Sequence, residues 1–420
     1  MQARLSSVNI FRSSAVFFLR LAWRNLWRNK KRTLIAGASV FFAVFLAVGM
    51  SSVQFGSHDY MIHTAVSFYT GHIQIHGRNY WEKHSLDQSM VLDTAFMSAG
   101  RSLPHVLHAV PRFETAALVS HGTLTKVSPV IGIDPIRESA MTGLGKRVIR
   151  GAPLLGWKDG VIIAEGLARL LKVDVGDSIV IYGQGYQGVT AAGIIRIASI
   201  VKFPLDELNN AMLYLPLDAA QELFSASGRI TTISLLLDSD DAADEEAAAL
   251  RAMTDGNKEV MTWREMMPEL LQAIAADNGG TIIMLLILYV VIGFGIFSTV
   301  MMMTAERSRE FGITIALGMK RWRLMSVTVI EALIISLIGA VAGIAVSIPL
   351  VLYFYHHPIQ LGGDYAKAMM AYGMEPIIPF SMDPMVFIIQ GIIVFALGAF
   401  SALYPIMILR KLEPVRAMRR

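Results

Sequence analysis

Apolar residues are distributed very unevenly along this chain. Four unbroken runs stand at Thr33–Val53, Gly280–Met303, Leu324–Tyr353 and Pro384–Leu409, one before and three after about 225 residues with ordinary water-soluble patterning. Each run reaches the roughly 20 residues with which a helix crosses the hydrocarbon core. Peptide groups find no outside partners in hydrocarbon, so such runs cross as helices or as a closed barrel, and unbroken apolarity excludes the alternating barrel pattern. The first run begins after 32 residues, lacks a clear small-residue cleavage site and exceeds the apolar core of a signal peptide, so it is expected to stay as an anchor.

The expected segments follow from these runs. They are a cytoplasmic amphipathic N-terminal helix over 1–32, spans over 33–53, 279–303, 324–353 and 384–409, an outer domain over 54–278, a cytoplasmic loop over 304–323, an external loop over 354–383 and a cytoplasmic tail over 410–420. Orientation comes from the basic residues, which gather at alternate ends of the spans as the positive-inside rule requires. Arg20, Arg24, Arg28, Lys30, Lys31 and Arg32 precede the first span; Arg307, Arg309, Lys320, Arg321 and Arg323 separate the second from the third; Arg410, Lys411, Arg416, Arg419 and Arg420 follow the fourth. The segment His356–Asp383 carries Lys367 as its one Lys or Arg and is placed outside with the large domain. Both termini are therefore expected in the cytoplasm.

The net charge of +4 hides a segregation: residues 54–278 hold 18 basic and 26 acidic side chains, a net of −8, and the remainder holds 19 and 7, a net of +12. The pI near 9.2 thus reports membrane-flanking charge on the anionic cytoplasmic face and gives no reason to invoke nucleic acid. With no cysteine in the chain, a disulfide-stapled exterior and thiolate chemistry are excluded, and the outer domain must rest on its own apolar core.

Within that domain, Gly71–Gly77 alternates Ile73 and Ile75 with His72, Gln74 and His76, a strand pattern. Histidines four apart on a strand lie roughly 13 Å apart, too far to share a metal ion. Further strands are predicted at Ala116–Leu124, Lys126–Ile133, Ser178–Tyr182, Gly193–Val201, Met212–Leu215, Thr231–Leu237 and Glu259–Trp263, and helices at Ala95–Leu107, Glu165–Leu171, Asp218–Phe224 and Asp241–Met253. Without a βαβ repeat this interleaving points to an α+β domain. The turn Val173–Asp177 and the loop Gly183–Gly188 belong to a section, 151–224, that reads as an inserted subdomain. From Met266 onward Leu270, Leu271 and Ile274 keep helical spacing toward the second span. The fold class is thus membrane α-helical, four transmembrane helices in a 1+3 arrangement, with a large α+β extracytoplasmic domain.

Little in the chain suggests catalysis. Gly143–Arg147 is the nearest approach to an ATP-binding loop, but Ala140 stands where its first glycine belongs and no Ser or Thr follows Lys146. No Gly-x-Ser-x-Gly elbow and no His-Glu-x-x-His helix is present, so neither a catalytic nor a metal set is assigned. Met369, Met370, Met374 and Met382 with His356 and His357 offer soft ligands of the kind that suit Cu(I), yet methionine equally fills apolar contact surfaces, which is the preferred reading.

Other positions point to mechanics. Before the first span Phe18, Ala22 and Leu26 share one helical face and Arg20, Arg24 and Arg28 the opposite one, with Trp23 and Trp27 between them, as in an interfacial helix serving as a transporter elbow or a topology anchor. Glu331 is an ionisable side chain inside an apolar run; pairing with a basic residue of the neighbouring loop, or snorkelling toward it, is preferred over a proton relay. Gly339 and Gly343 form a small-xxx-small face for close helix contact, within the chain or between copies. In the cytoplasmic loop, ionic Glu306, Arg307, Arg309 and Glu310 are followed by apolar Phe311, Ile313, Ile315 and Leu317 with Gly312 and Gly318, a short amphipathic element suited to docking a cytoplasmic partner.

That loop resembles the Glu-Arg-x-x-Glu-(apolar)-Gly-x-x-x-Ala-x-Gly signature of the FtsX-like or MacB-type permeases of ABC transporters, matched by Glu306, Arg307, Glu310, Phe311, Gly312, Ala316 and Gly318. Leu21–Leu26, Val175–Asp177 and Leu412–Ala417 extend the resemblance over nearly the whole chain. It implies a bacterial inner-membrane, multi-pass permease with a periplasmic domain, paired with a second copy or a related permease. It further implies coupling through Glu306, Arg307, Arg309, Glu310, Phe311, Gly312, Ala316, Leu317 and Gly318 to a separate dimer of ABC ATPases. ATP and magnesium would be bound by that partner, and the chain itself would need no cofactor. The mode implied is mechanotransmission, in which ATP-driven helix motion moves the outer domains; spans too apolar to line a wet channel agree with it.

Domain size and layout look most like the lipoprotein-releasing permeases, since the macrolide and toxin exporters usually carry a fused N-terminal ATPase and the division permeases a smaller outer domain. Lipid-anchored cargo, passed on to a periplasmic acceptor, would then enter between the first two spans, making Phe41, Phe42, Phe45, Met50, Ile287, Val291 and Phe294 candidates to touch it. The alternative is a regulatory or efflux module whose outer domain grips a periplasmic hydrolase or adaptor.

Overall fold

The computed structural model describes residues 17–411 except 29, 205, 255, 365, 367, 368 and 370–375. Lys367, Met370, Met374, Arg416, Arg419, Arg420 and Leu412–Ala417 lie outside the described residues. The chain divides into two compact bodies. One takes the described residues up to 59, 274–359 and from 378 on; the other takes 60–273 with 360–377.

Four helical segments are long and apolar enough to cross a membrane, with most of their residues in the first body: Thr33–Ala65, Pro268–Glu306, Arg321–His356 and Pro384–Lys411, the last interrupted at Ala402. The helices overrun the predicted spans because apolarity marks the stretch fit for hydrocarbon, whereas the backbone ladder continues through polar residues at either end. Val40, Ala43, Val44 and Val48 of the first, Ile296 of the second, Ala340 and Val351 of the third, and Val386, Phe387 and Val394 of the fourth form one apolar cluster. Gly339 and Gly343 serve packing inside the chain, since a Cβ at either would come within 2.7 and 2.8 Å of the Cβ atoms of Val40 and Val44. A polar link crosses the same body, where Gln390 Nε2 donates to Ser51 Oγ at 2.9 Å and the Tyr289 hydroxyl donates to Gln390 Oε1. The second helix is the least covered: among its described residues only Ile296 and Thr304 are buried, and Phe294 is 70 % exposed.

The second body is built on one ten-stranded sheet. Its strands are β1 (Ile73–Gly77), β3 (Val106–His121), β4 (Leu124–Ile133), β5 (Val148–Gly151), β6 (Val161–Ala164), β7 (Ser178–Gln184), β8 (Thr190–Val201), β9 (Leu213–Pro216), β11 (Thr232–Leu237) and β12 (Lys258–Thr262); β2 (Met90–Val91) and β10 (Arg229–Ile230) pair separately. The order is β12-β1-β11-β3-β4-β9-β6-β8-β5, and β7 pairs with both β3 and β8. That double pairing closes β3, β4, β9, β6, β8 and β7 into a ring. Alternate residues of these strands, among them Phe113, Val119, Val130, Ile163, Ile179, Ile181, Ile197 and Leu213, fill it, as strand periodicity demands. A second apolar cluster gathers Ile73, Ile75, Ile233, Leu235 and Trp263 under the helices Thr94–Arg101 and Ala243–Met253.

Several expectations are corrected. The helix predicted at Ala95–Leu107 ends at Arg101, ahead of Pro104, and the following residues open the 16-residue β3, whose part before Ala116 was not predicted as strand. Helix Pro135–Thr142 was not predicted, although Asp134 caps its Ile136 and Arg137 amides and proline opens it. Section 151–224 is not a closed insertion: it supplies β6 to β9, which complete the ring only with β3 and β4. The turn Val173–Asp177 forms as expected, with Gly176 at φ +97° and its amide donating to the Ile197 carbonyl at 2.9 Å.

Candidate coupling site

The signature loop folds into three parts. The second long helix runs to Glu306, Arg307 breaks it at φ −92°, ψ 0°, and a nine-residue helix, Ser308–Ala316, follows. Gly318 then takes φ +96°, a left-handed conformation that favours glycine, and Lys320 turns extended before the third long helix begins at Arg321. The element has a buried face and an exposed one, and the exposed one is mixed, with Ile313 and Leu317 beside the ionic residues. Phe311 and Gly312 are buried, Phe311 against Leu324 and Leu409, while Leu317 is 83 % exposed and Ile313 is also exposed. Glu306, Arg309, Glu310 and Ala316 lie on the exposed side.

Arg307 is the pivot of this element. Its side chain, only 14 % exposed, binds Glu331 of the third helix through Nη1 to Oε2 and through Nη2 to Oε1 at 3.5 Å. Its Nε stands 3.6 Å from Glu310 and its guanidinium lies 5.2 Å from the Phe311 ring centroid. Glu331 is 2 % exposed and accepts a further hydrogen bond, at 2.7 Å, from Asn25 Nδ2 of the helix over 17–28. Glu310 meets Arg28 of that same helix at 3.0 Å. The expected pairing of Glu331 with a basic loop residue is thus realised by Arg307. Beside them a narrow cleft of about 30 Å³, lined by Ala36, Ile296, Thr304, Arg307, Thr328 and Glu331, has room for a water or two.

The helix over 17–28 departs from a simple interfacial reading. Ala22 and Leu26 are buried by protein, Leu26 with Ala36 and Ile335, and Phe18 stands edge-on to Trp322. Trp23 and Trp27, edge-on to one another, are left exposed instead. Of the candidate cargo contacts, Phe42, Ile287, Val291 and Phe294 are exposed, and Phe41, Phe45 and Met50 are half-buried.

Other candidates have contacts within the chain. His72 Nε2 meets Asp240 at 2.6 Å, and its Nδ1 accepts from the Leu237 amide. His76 stacks on Tyr80 and contacts Thr231 and Thr232. His356 and His357 face carbonyls of their own helix, and Met382 packs among the long helices. The sequence reading missed Asn25, Gln390 and a cluster in which Gln54 Nε2 donates to Asp277 and His58 Nε2 meets the same carboxylate at 2.9 Å. Single polar residues at helix ends carry no periodic signal; only their coincidence in space marks them.

Comparison with known proteins identifies two family domains in the chain. Residues 33–253 match the MacB-like periplasmic core domain and residues 282–414 the FtsX-like permease C-terminal domain. The macrolide export ATP-binding/permease protein MacB of Burkholderia cenocepacia is 22 % identical over 344 residues, 78 % of this chain and 49 % of that protein. Its namesake from Escherichia coli is 22 % identical over 343 residues, 79 % of this chain and 52 % of that protein. The chain spans about half the length of these curated relatives. Among solved structures, the periplasmic region of MacB from Actinobacillus actinomycetemcomitans aligns with 51 % of this chain and 98 % of its own at TM-score 0.35 and 12 % identity. The extracellular domain of the noncanonic ABC-type transporter YknZ from Gram-positive bacteria aligns with 45 % and 99 % at TM-score 0.32 and 15 % identity.

Proposed function

The chain belongs to the MacB/FtsX-type family of ABC transporter permeases, and from that premise we propose that it converts the work of a partner ATPase into movement of its outer domain. The observation that carries this is the coupling element: a short helix fixed on one face by Phe311 and presenting Ile313 and Leu317 on the other. Such a face suits a groove on a dimeric ABC ATPase, which would supply the ATP and magnesium sites. The basic flanks support a cytoplasmic side for that element and both termini, opposite the periplasmic outer domain. The cargo is an apolar or lipid-linked molecule, with extraction of lipoproteins from the outer leaflet as the leading case. Supporting it are Phe42, Ile287, Val291 and Phe294, exposed on the first two long helices, which suit an acyl chain arriving from the bilayer. A second permease, as copy or relative, completes the assembly.

A second reading has two supports. The curated relatives are named as macrolide exporters, and the outward face of the ring carries an apolar row in register, Val127 opposite Leu118 and Leu118 opposite Tyr182, all exposed. Such a row suits a periplasmic adaptor or hydrolase. Purification in mild detergent with an ATPase trapped against hydrolysis, followed by mass spectrometry, separates the two. An ABC ATPase with acylated lipoproteins supports extraction; the ATPase with an adaptor or hydrolase and no lipoprotein supports the second reading; recovery without any ATPase refutes both.

A further inference from the structure

Glu331 sits where a carboxylate is costly. A buried charge is stable only when paired and hydrogen-bonded, and its partners come from two other parts of the chain: Arg307 at the start of the coupling helix and Asn25 in the helix over 17–28. Arg307 reaches Glu310, and Glu310 reaches Arg28, so the network returns to the helix over 17–28 by a second path. The two paths differ in exposure. The Arg28–Glu310 pair is open to solvent and is weak on that ground, whereas the Arg307–Glu331–Asn25 contacts are largely shielded. The inner path is therefore the one that holds.

We propose that Glu331 is the positioning residue of the coupling element: through Arg307 it locks the helix Ser308–Ala316 to the third long helix, and through Asn25 it binds in the helix over 17–28. A push on the coupling helix then moves all three as a unit, rather than bending the chain at the Arg307 break. The inference rests on reading the loop as the ATPase contact. The lock itself does not depend on that reading, so the two fail separately.

Two measurements test it. Because the chain has no cysteine, spin labels can be placed cleanly at Trp23→Cys and Leu317→Cys, both exposed positions, in the full chain in lipid nanodiscs. Glu331→Gln, nearly isosteric, is expected to broaden the label-to-label distance distribution. Exchanging the pair, Glu331→Arg with Arg307→Glu, is expected to narrow it again, since an amide at Asn25 serves either charge. In the complex with its ATPase, Glu331→Gln is expected to lower the stimulated kcat about tenfold with KM for ATP unchanged, the scale of one hydrogen-bonded charge. The exchanged variant should recover most of that loss. An unchanged distance distribution in Glu331→Gln overturns the lock. A broadened distribution with full stimulation overturns the coupling role while leaving the ion pair as architecture.

Discussion

Arg112 and Glu138 form the most deeply buried ion pair described in the outer body, and removing one charge tests what holds the sheet where β3 leaves the ring. Arg112 is 1 % exposed, and its Nε and Nη2 donate to the two Glu138 oxygens at 2.9 and 2.7 Å. Glu114 stands at 3.6 Å as a looser second partner; burial holds its carboxyl above the usual carboxylate range, against the pull of Arg112. Orphaning one member of such a pair costs about 3–5 kcal/mol, because the remaining charge stays buried without compensation. With Glu114 partly substituting, Glu138→Gln should fall at the lower end, about 3 kcal/mol. For a body of about 230 residues, each kcal/mol moves Tm by about 2–4 °C, so the shift expected is about 6–12 °C. A thermal scan of the full chain in detergent reads it, and hydrogen exchange across β3 and β4 localises it. Replacing both residues by leucine should recover most of the loss, since a buried pair is often no better than an apolar one. A shift under about 2 °C for Glu138→Gln, or a double variant less stable than the single, refutes the reasoning.

Two further predictions concern other parts of the chain. Burial lowers the His76 imidazole to about 4 from its ordinary 6.5, so between those values the unfolded chain binds more protons and the outer body loses stability as pH falls. The loss is capped at about 3 kcal/mol; His76→Gln should flatten the pH profile of Tm below 6.5, and an unchanged slope would falsify this account. Gly339→Val should cost about 1–3 kcal/mol by overpacking, because even a Cβ lies 2.7 Å from Val40. Val40→Ala in the same chain should return part of the detergent Tm, and no recovery would count against that contact.

What the sequence made legible follows from which signals are local. Long apolar runs located the four membrane-type helices, and the charged-then-apolar spacing from Glu306 to Gly318 marked the short element that folds as the helix Ser308–Ala316, because both patterns reside in neighbouring residues. Helix Glu165–Leu171 and strands β4, β7 and β8 were visible for the same reason. Closure of the ring was not legible, since it depends on β7 pairing with β3 and β8 across about 60 residues and 10 residues of chain respectively. Strands β5 and β6 were missed because four apolar or mixed residues carry no clear period. Asn25 was invisible as a partner of Glu331 because 306 residues separate them.

Within the outer body, the strand that follows the first long helix and the strand that precedes the second are hydrogen-bonded neighbours, β1 and β12. The first long helix ends in a π-helical turn, Val66–Thr70, closed by the Gly71 amide on the Val66 carbonyl at 2.8 Å, and leads directly into β1. The second follows β12, beginning beyond a capping box in which Thr262 and Glu265 exchange hydrogen bonds and the short helix Trp263–Met266. β1 and β12 pair along five residues from Ile73–Thr262 to Gly77–Lys258, and the Trp263 amide donates to the His72 carbonyl at 2.8 Å. Sliding one strand past the other would break that ladder, at about 1 kcal/mol for each hydrogen bond, and would drag Trp263 out of the cluster it shares with Ile73 and Leu235. Moving both strands together keeps that ladder intact. Any displacement of β1 therefore carries β12 with it, and it passes within this body to β11, hydrogen-bonded to β1, and to the ring attached through β3.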